Sequence, residues 1–219
     1  MKGQRTIKRY PLCSLLLLVA LLPACASERL ASAPDLCSHW SVVVVAPKYM
    51  EAWVEDLEVK DDRGYWVQIP QGVVSGLGQT AGWDNGEWYS GGPRLDSAGA
   101  PMEVSVRWQS LAEPQTYKWR FTVPESMRQA LVKKEPSLFR GKTELACRSD
   151  IAIGVAPGGR TIVWIAGGAL PRVEVMRGKA EVEPLGPYQG FSKGKYRPMH
   201  EPARKYVEEH GIPYGSWDH

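Results

Sequence analysis

Met102-Glu103-Val104-Ser105-Val106-Arg107-Trp108-Gln109, followed after a short link by Tyr117-Lys118-Trp119-Arg120-Phe121-Thr122-Val123, decides the fold class. Met102, Val104, Val106 and Trp108 alternate with Glu103, Ser105, Arg107 and Gln109. Tyr117, Trp119, Phe121 and Val123 alternate with Lys118, Arg120 and Thr122. Successive side chains of a strand point to opposite faces, so strict period two describes two strands with one face buried and one wet. The link through Glu113-Pro114 is too short for a crossover, which makes the strands antiparallel neighbours.

The same logic extends upstream. His39 to Ala46 contains Val42-Val43-Val44-Val45, a β-branched run ended by Pro47, and reads as a strand buried on both faces. Ala52 to Lys60 is a second strand, with a bulge where the alternation of Val54, Leu57 and Val59 slips. Asp61-Asp62-Arg63-Gly64 turns the chain, and Tyr65 to Pro70 returns as the partner of a hairpin. Gln71 to Pro101 differs from the rest: it holds eight glycines with Trp83, Trp88 and Tyr89. A loop of that length in a compact domain is usually functional or disordered, and its aromatics argue against disorder.

Downstream, Pro124 to Lys134 predicts a short helix with Met127, Ala130 and Leu131 on one stripe. A polar loop follows Pro136. Ile151, Ile153 and Val155 alternate in another strand, Pro157-Gly158-Gly159-Arg160 turns, and Thr161 to Ala166 runs back. Arg172 to Val182 is the last strand. Glu201 to His210 is a second helix, stopped by Gly211 and Pro213, with Ala203, Tyr206 and Val207 toward the sheet and Trp217 tucked behind. About eight strands and two short helices predict a mainly β protein, an antiparallel β-sandwich or open barrel.

The N-terminus carries a different message. Lys2, Arg5, Lys8 and Arg9 precede an apolar run from Leu12 to Leu22, and then Leu22-Pro23-Ala24-Cys25. A basic head, a short apolar middle and a small residue before the cut form a secretory signal. Cysteine directly after the small residue is similar to a bacterial lipoprotein signal, in which the thiol is alkylated with diacylglycerol and the cleaved N-terminus is acylated. The run is too short for a span, which needs about 20 residues. The expected organisation is a signal peptide over 1–24, a lipidated tether over 25–36 and one β-rich domain over 37–219. Ala26 and Ser27 follow Cys25, with no aspartate to favour inner-membrane retention. By resemblance to sorted lipoproteins this points to the outer membrane, facing the periplasm.

Processing also rewrites the charge. Four of the 27 Lys and Arg lie ahead of Cys25 and none of the 24 Asp and Glu does, so a net charge of +3 becomes −1. No basic field remains to indicate nucleic acid. Cys13 leaves with the signal and Cys25 takes the lipid, which leaves Cys37 and Cys147 as a disulfide or as two buried thiols in an oxidising compartment.

Reactive constellations are scarce. His39, His200, His210 and His219 show no zinc-helix spacing, there is no Cys-x-x-Cys, and no Gly-x-Ser-x-Gly elbow occurs. Gly190 to Lys195 resembles a phosphate loop only superficially, being one residue short and followed by no helix, and reads as a basic loop. The expectation is no catalytic site, no metal and no cofactor. Glu51, Glu55, Asp56, Glu58, Asp61 and Asp62 concentrate charge on one strand and its turn. Their simplest reading is a solvated face; a surface for a cationic partner is the functional one. Of the nine tryptophans, Trp83 and Trp88 lie with Tyr89 on the glycine-rich loop. There they either fold back onto the sheet or serve as contact aromatics for a protein or a glycan.

Val155-Ala156-Pro157-Gly158-Gly159-Arg160-Thr161-Ile162-Val163-Trp164-Ile165-Ala166-Gly167 resembles the signature of a bacterial lipoprotein family, domain-of-unknown-function family 2931. Ala46-Pro47-Lys48-Tyr49 with Trp53-Val54-Glu55 is similar to its opening, and Ser110-Leu111 and Tyr206 to Trp217 also fit. The resemblance brings no established activity and no catalytic residues. Members look like periplasm-facing lipoproteins, some encoded beside type VI secretion effectors, notably lipases. It implies a non-enzymatic, outer-membrane-anchored lipoprotein that binds a protein, as an immunity protein against such a toxin. The candidate contact residues are Trp83, Trp88, Tyr89, Glu51, Glu55 and Asp56. The alternative is a cell-envelope glycan binder using the loop aromatics.

Overall fold

The computed structural model describes residues 37–83, 92–96 and 98–219. The signal, Cys25 and the tether, together with Trp88 and Tyr89, lie outside the described residues. Those described belong to one compact unit, Pro34–His219. Among them the strands in chain order are β1 (Trp40–Val45), β2 (Ala52–Asp61), β3 (Trp66–Gln68), β4 (Val73–Val74), β5 (Arg94–Leu95), β6 (Pro101–Ser110) and β7 (Gln115–Thr122). Helix α1 (Glu125–Val132) precedes β8 (Glu135–Phe139), β9 (Lys142–Ala146), β10 (Asp150–Ala156), β11 (Arg160–Gly167), β12 (Leu170–Lys179) and β13 (Glu181–Val182). Helix α2 (Glu201–His210) follows.

The protein is mainly β, and among the described residues its three sheets are open, none closed into a barrel. One has the order β12-β11-β10-β1-β5. Another has β13-β7-β6-β2-β3, with β4 also paired to β2. The third is the hairpin β8–β9. All pairs are antiparallel except β1 with β10, which run parallel from Ser41↔Asp150 to Val45↔Gly154. The expected all-antiparallel pattern fails there because Val42–Val45 is a central strand, covered on both faces, where parallel pairing is at home.

The coverage is visible in two apolar clusters. Val42 and Val44 (β1), Ile151 and Ile153 (β10), Leu57 (β2), Val106 and Trp108 (β6), Phe121 (β7) and Met127 (α1) belong to one cluster, so the two large sheets pack face to face. The opposite face of the first sheet carries Val45, Ala152, Ile162 and Trp164. Trp83, Trp217, Tyr206 and Val207 cover it. The β6–β7 register runs without a slip from Glu103↔Thr122 to Ser110↔Gln115, as strict alternation requires. The expected bulge in β2 sits between Val54 and Asp56.

Two regions depart from the sequence reading. The stretch after Pro136, expected as a polar loop, is the hairpin β8–β9, turned at Arg140-Gly141, both with positive φ. Its apolar residues are too few and too exposed to give a period-two signal. The glycine-rich segment contributes the short strands β4 and β5, whose pairing is fixed by neighbours rather than by any pattern of their own.

The turn Pro157–Gly159 explains its glycines. Gly158 and Gly159 have φ of 74° and 70°, and a Cβ on Gly159 would stand 2.9 Å from the Tyr117 ring. Glu113, in the β6–β7 turn, accepts the Gly158 N–H (2.9 and 3.1 Å) and the Tyr214 hydroxyl (2.6 Å). Burial first, and then this carboxylate, push both the Tyr214 and Tyr117 phenols far up from their ordinary range. Cys37 is bonded to Cys147, closing 110 residues of chain.

Candidate interaction surface

The acidic strand β2 is not a free face. The Glu55 carboxylate is 1% exposed and accepts three hydrogen bonds. They come from Arg107 Nε (3.0 Å), Gln109 Nε2 (2.8 Å) and the Tyr188 backbone N–H (2.7 Å). Glu51 is also buried, and accepts the His200 N–H (3.0 Å) and lies 2.9 Å from His200 Nδ1. Gln109 Oε1 accepts the Arg197 N–H (2.9 Å). Glu55 and Gln109 of the sheet, with Glu51 just ahead of β2, thus hold the backbone of a strap, residues 183–200, that has almost no ladder of its own. Buried polar groups need partners, and a strap without strand pairing has backbone N–H groups to offer. Arg197 completes the clamp with its guanidinium 3.8 Å from the Trp53 ring centroid. The expectation that Glu51 and Glu55 meet a partner is therefore corrected: both are internal. Asp56 stays half-buried beside Arg107 (3.6 Å) and accepts from Gln68 Nε2 (3.3 Å).

Trp83 is corrected in the same way. It is 6% exposed, donates its indole N–H to the Trp217 carbonyl (2.9 Å) and meets Trp164 edge-on. Gly154 makes room, since a Cβ there would stand 2.8 Å from Trp83 and 2.9 Å from Trp164. Of the two weighed fates for this indole, the structure has the folded-back one.

What the strap presents is the feature that sequence reading missed. Tyr188, Gln189 and Gly190 are consecutively left-handed, with φ of 52°, 53° and 87°, and Lys193 follows at 51°. Left-handed backbone costs a non-glycine residue about 1–2 kcal/mol. The loop is nonetheless well tied: Phe191 N–H donates to the Tyr188 carbonyl (3.1 Å), Lys193 N–H to Gly190 (2.9 Å) and Ser192 Oγ to Pro187 (3.1 Å). Its product is Phe191, 88% exposed at the crest, with Lys193 and Lys195 after it. Strained backbone clusters at functional sites, and exposed aromatics are enriched at interfaces. The basic loop read from Gly190 to Lys195 gave its charge but not its shape.

A cleft of about 510 Å³ lies on the same sheet, lined by Ser105, Arg107, Lys118, Arg120, Lys179 and Glu181. Its cations are largely compensated. Arg107 is held by Glu55, Arg120 lies 3.3 Å from Glu103 and Lys118 lies 3.9 Å from Glu183. With Val106 and Trp119 also in its lining, the cleft is a mixed surface of largely balanced charge. Among the described residues, no three His, Cys, Asp or Glu side chains gather as metal ligands.

A family model described as "Protein of unknown function (DUF2931)" matches residues 32–215. The chain belongs to this family. The match takes in every described strand and both helices, so the turn at Pro157–Gly159, the strap and the hairpin β8–β9 all lie within the DUF2931 region. No curated protein and no solved structure matches.

Proposed function

We propose that this DUF2931 member is a lipoprotein anchored through Cys25 to the outer membrane, facing the periplasm. In this reading it has no enzymatic activity and binds a protein partner, as an immunity protein against a type VI secretion toxin. The lipoprotein signal supports the address, and the gene neighbourhoods of similar lipoproteins support the toxin. The observation that carries the binding role is the Phe191 loop: a strained, internally bonded crest held from below by the buried Glu55. A convex loop of this kind suits insertion into a concave surface such as an enzyme cleft. The two lysines after Phe191 favour an acidic rim around that cleft.

The test is co-expression with the product of the neighbouring effector gene, in cells exposed to that effector in the periplasm. A complex that co-purifies and cells that survive support the proposal. No complex and no protection refute it.

A further inference from the structure

Most residues of the hairpin β8–β9 are exposed. Opposite residues of an antiparallel pair share a face. The pairs Glu135↔Ala146, Ser137↔Glu144 and Phe139↔Lys142 therefore define one face and Pro136↔Leu145 and Leu138↔Thr143 the other. The Ser137 face is the inner one: Ser137 and Ala146 are buried, and the Ser137 hydroxyl donates to the Gly168 carbonyl. The opposite face is turned to solvent and holds Leu138, 69% exposed, and Leu145, 58% exposed, with no charged residue between them.

Cations frame this apolar face. Lys133 and Lys134 stand at the root and Arg140 at the turn, while Lys142 shares the other face with the exposed Glu144. Glu135 is occupied by Lys133 (3.1 Å) and Arg148. An uncharged apolar row rimmed by Lys and Arg matches the boundary of an anionic bilayer, where apolar groups enter the acyl edge and cations meet phosphates.

The covalent structure joins this hairpin to the start of the described chain. β9 runs directly into Cys147, which is bonded to Cys37. Cys37 is twelve residues from Cys25, a length that spans at most about 40 Å. Five strand residues place the hairpin tip only about 17 Å from Cys147. The disulfide therefore ties the hairpin to the point where the chain departs toward its anchor.

We infer that β8–β9 is a second membrane contact. Leu138 and Leu145 lie in the headgroup region of an anionic bilayer, with Arg140, at the turn, against phosphates, and lipid and hairpin together fix the orientation of the domain. This rests on the proposed anchoring through Cys25.

The test uses the full processed protein, purified from envelopes and placed in nanodiscs of phosphatidylethanolamine and phosphatidylglycerol doped with a headgroup spin-labelled lipid. Mass spectrometry of the N-terminal peptide reads the anchor separately. The expected result is an acylated Cys25 and paramagnetic broadening that is strongest at the amides of 138–145. In the L138D/L145D variant, whose changed side chains are exposed and leave the core alone, that broadening disappears while the acyl mass remains. Broadening no greater at the hairpin than elsewhere, or unchanged in the variant, on an acylated protein overturns the hairpin contact and leaves the anchor standing. An unmodified Cys25 overturns both.

Discussion

Removing the Glu55 carboxylate should cost more than any surface charge on β2. In Glu55→Ala, the Tyr188 N–H and the Gln109 amide lose an acceptor inside the protein, and Arg107 loses the acceptor of its Nε–H. Breaking a buried pair by removing one member costs about 3–5 kcal/mol. Arg107 is partly open and keeps Asp56 at 3.6 Å, so the lower end applies, about 3 kcal/mol. Glu55→Gln keeps the shape and one acceptor but turns an amide N–H₂ toward a donor, which should cost about 1–2 kcal/mol. Urea unfolding followed by tryptophan fluorescence reads both values. Amide exchange at 187–197 reads whether the strap has come loose, which is the local consequence expected of Glu55→Ala. A loss below about 0.5 kcal/mol, or unchanged protection across the strap, would refute the view that Glu55 holds it down.

Three further outcomes follow from the packing. Burial alone would raise the Asp61 carboxyl. Hydrogen bonds from the Arg63 side chain and from the backbone N–H groups of Tyr65, Gly99 and Arg63 outweigh it and hold the pKa at about 2. A carboxyl lowered on folding stabilises above its unfolded pKa and loses that stabilisation as pH falls toward the folded one. Acid titration of stability should therefore slope downward between about pH 4 and pH 2, and Asp61→Asn should flatten that slope. Replacing Cys37 and Cys147 together by serine frees a 110-residue loop and should cost about 2–4 kcal/mol in urea unfolding, the same loss that reducing agent produces in the wild type. Trp83→Ala should cost about 3–5 kcal/mol as a core truncation, and Gly154→Val about 1–3 kcal/mol by overpacking the Trp83 and Trp164 rings; thermal denaturation checks both, and an unchanged midpoint for either would count against the second core.

Much of the fold was legible in the sequence, for identifiable reasons. Strands β6 and β7 bury one face throughout, so their alternation is clean, although Gln109 and Thr116 on the face expected to be wet are buried as well. Helix α2 carries its own stop at Gly211, and its bounds match the expected Glu201 to His210. The unbroken apolar run at Val42–Val45 correctly signalled a strand covered on both sides. It could not reveal its parallel partner, because pairing direction depends on a strand more than a hundred residues away. The hairpin β8–β9 was hidden because its stability comes from Ser137, Ala146 and the neighbouring disulfide rather than from a buried stripe.

The site was far less legible. Charge on β2 looked like surface because a sequence does not show which backbone will cover it; Glu51 and Glu55 are buried under a strap with no periodicity. Trp83 looked free because it sits among glycines, yet Gly154, from a distant strand, opens the space it fills. The left-handed turn at Tyr188 and Gln189 has no signature, since neither residue favours that conformation.

The affinity of the purified protein for the neighbouring effector, measured by titration calorimetry for the wild type and Phe191→Ala, tests the central claim most directly. Phe191 touches little of its own domain, so the variant should fold normally and bind about 30-fold more weakly, the loss expected of a central aromatic anchor. Equal affinities, or no binding by the wild type, would contradict the account.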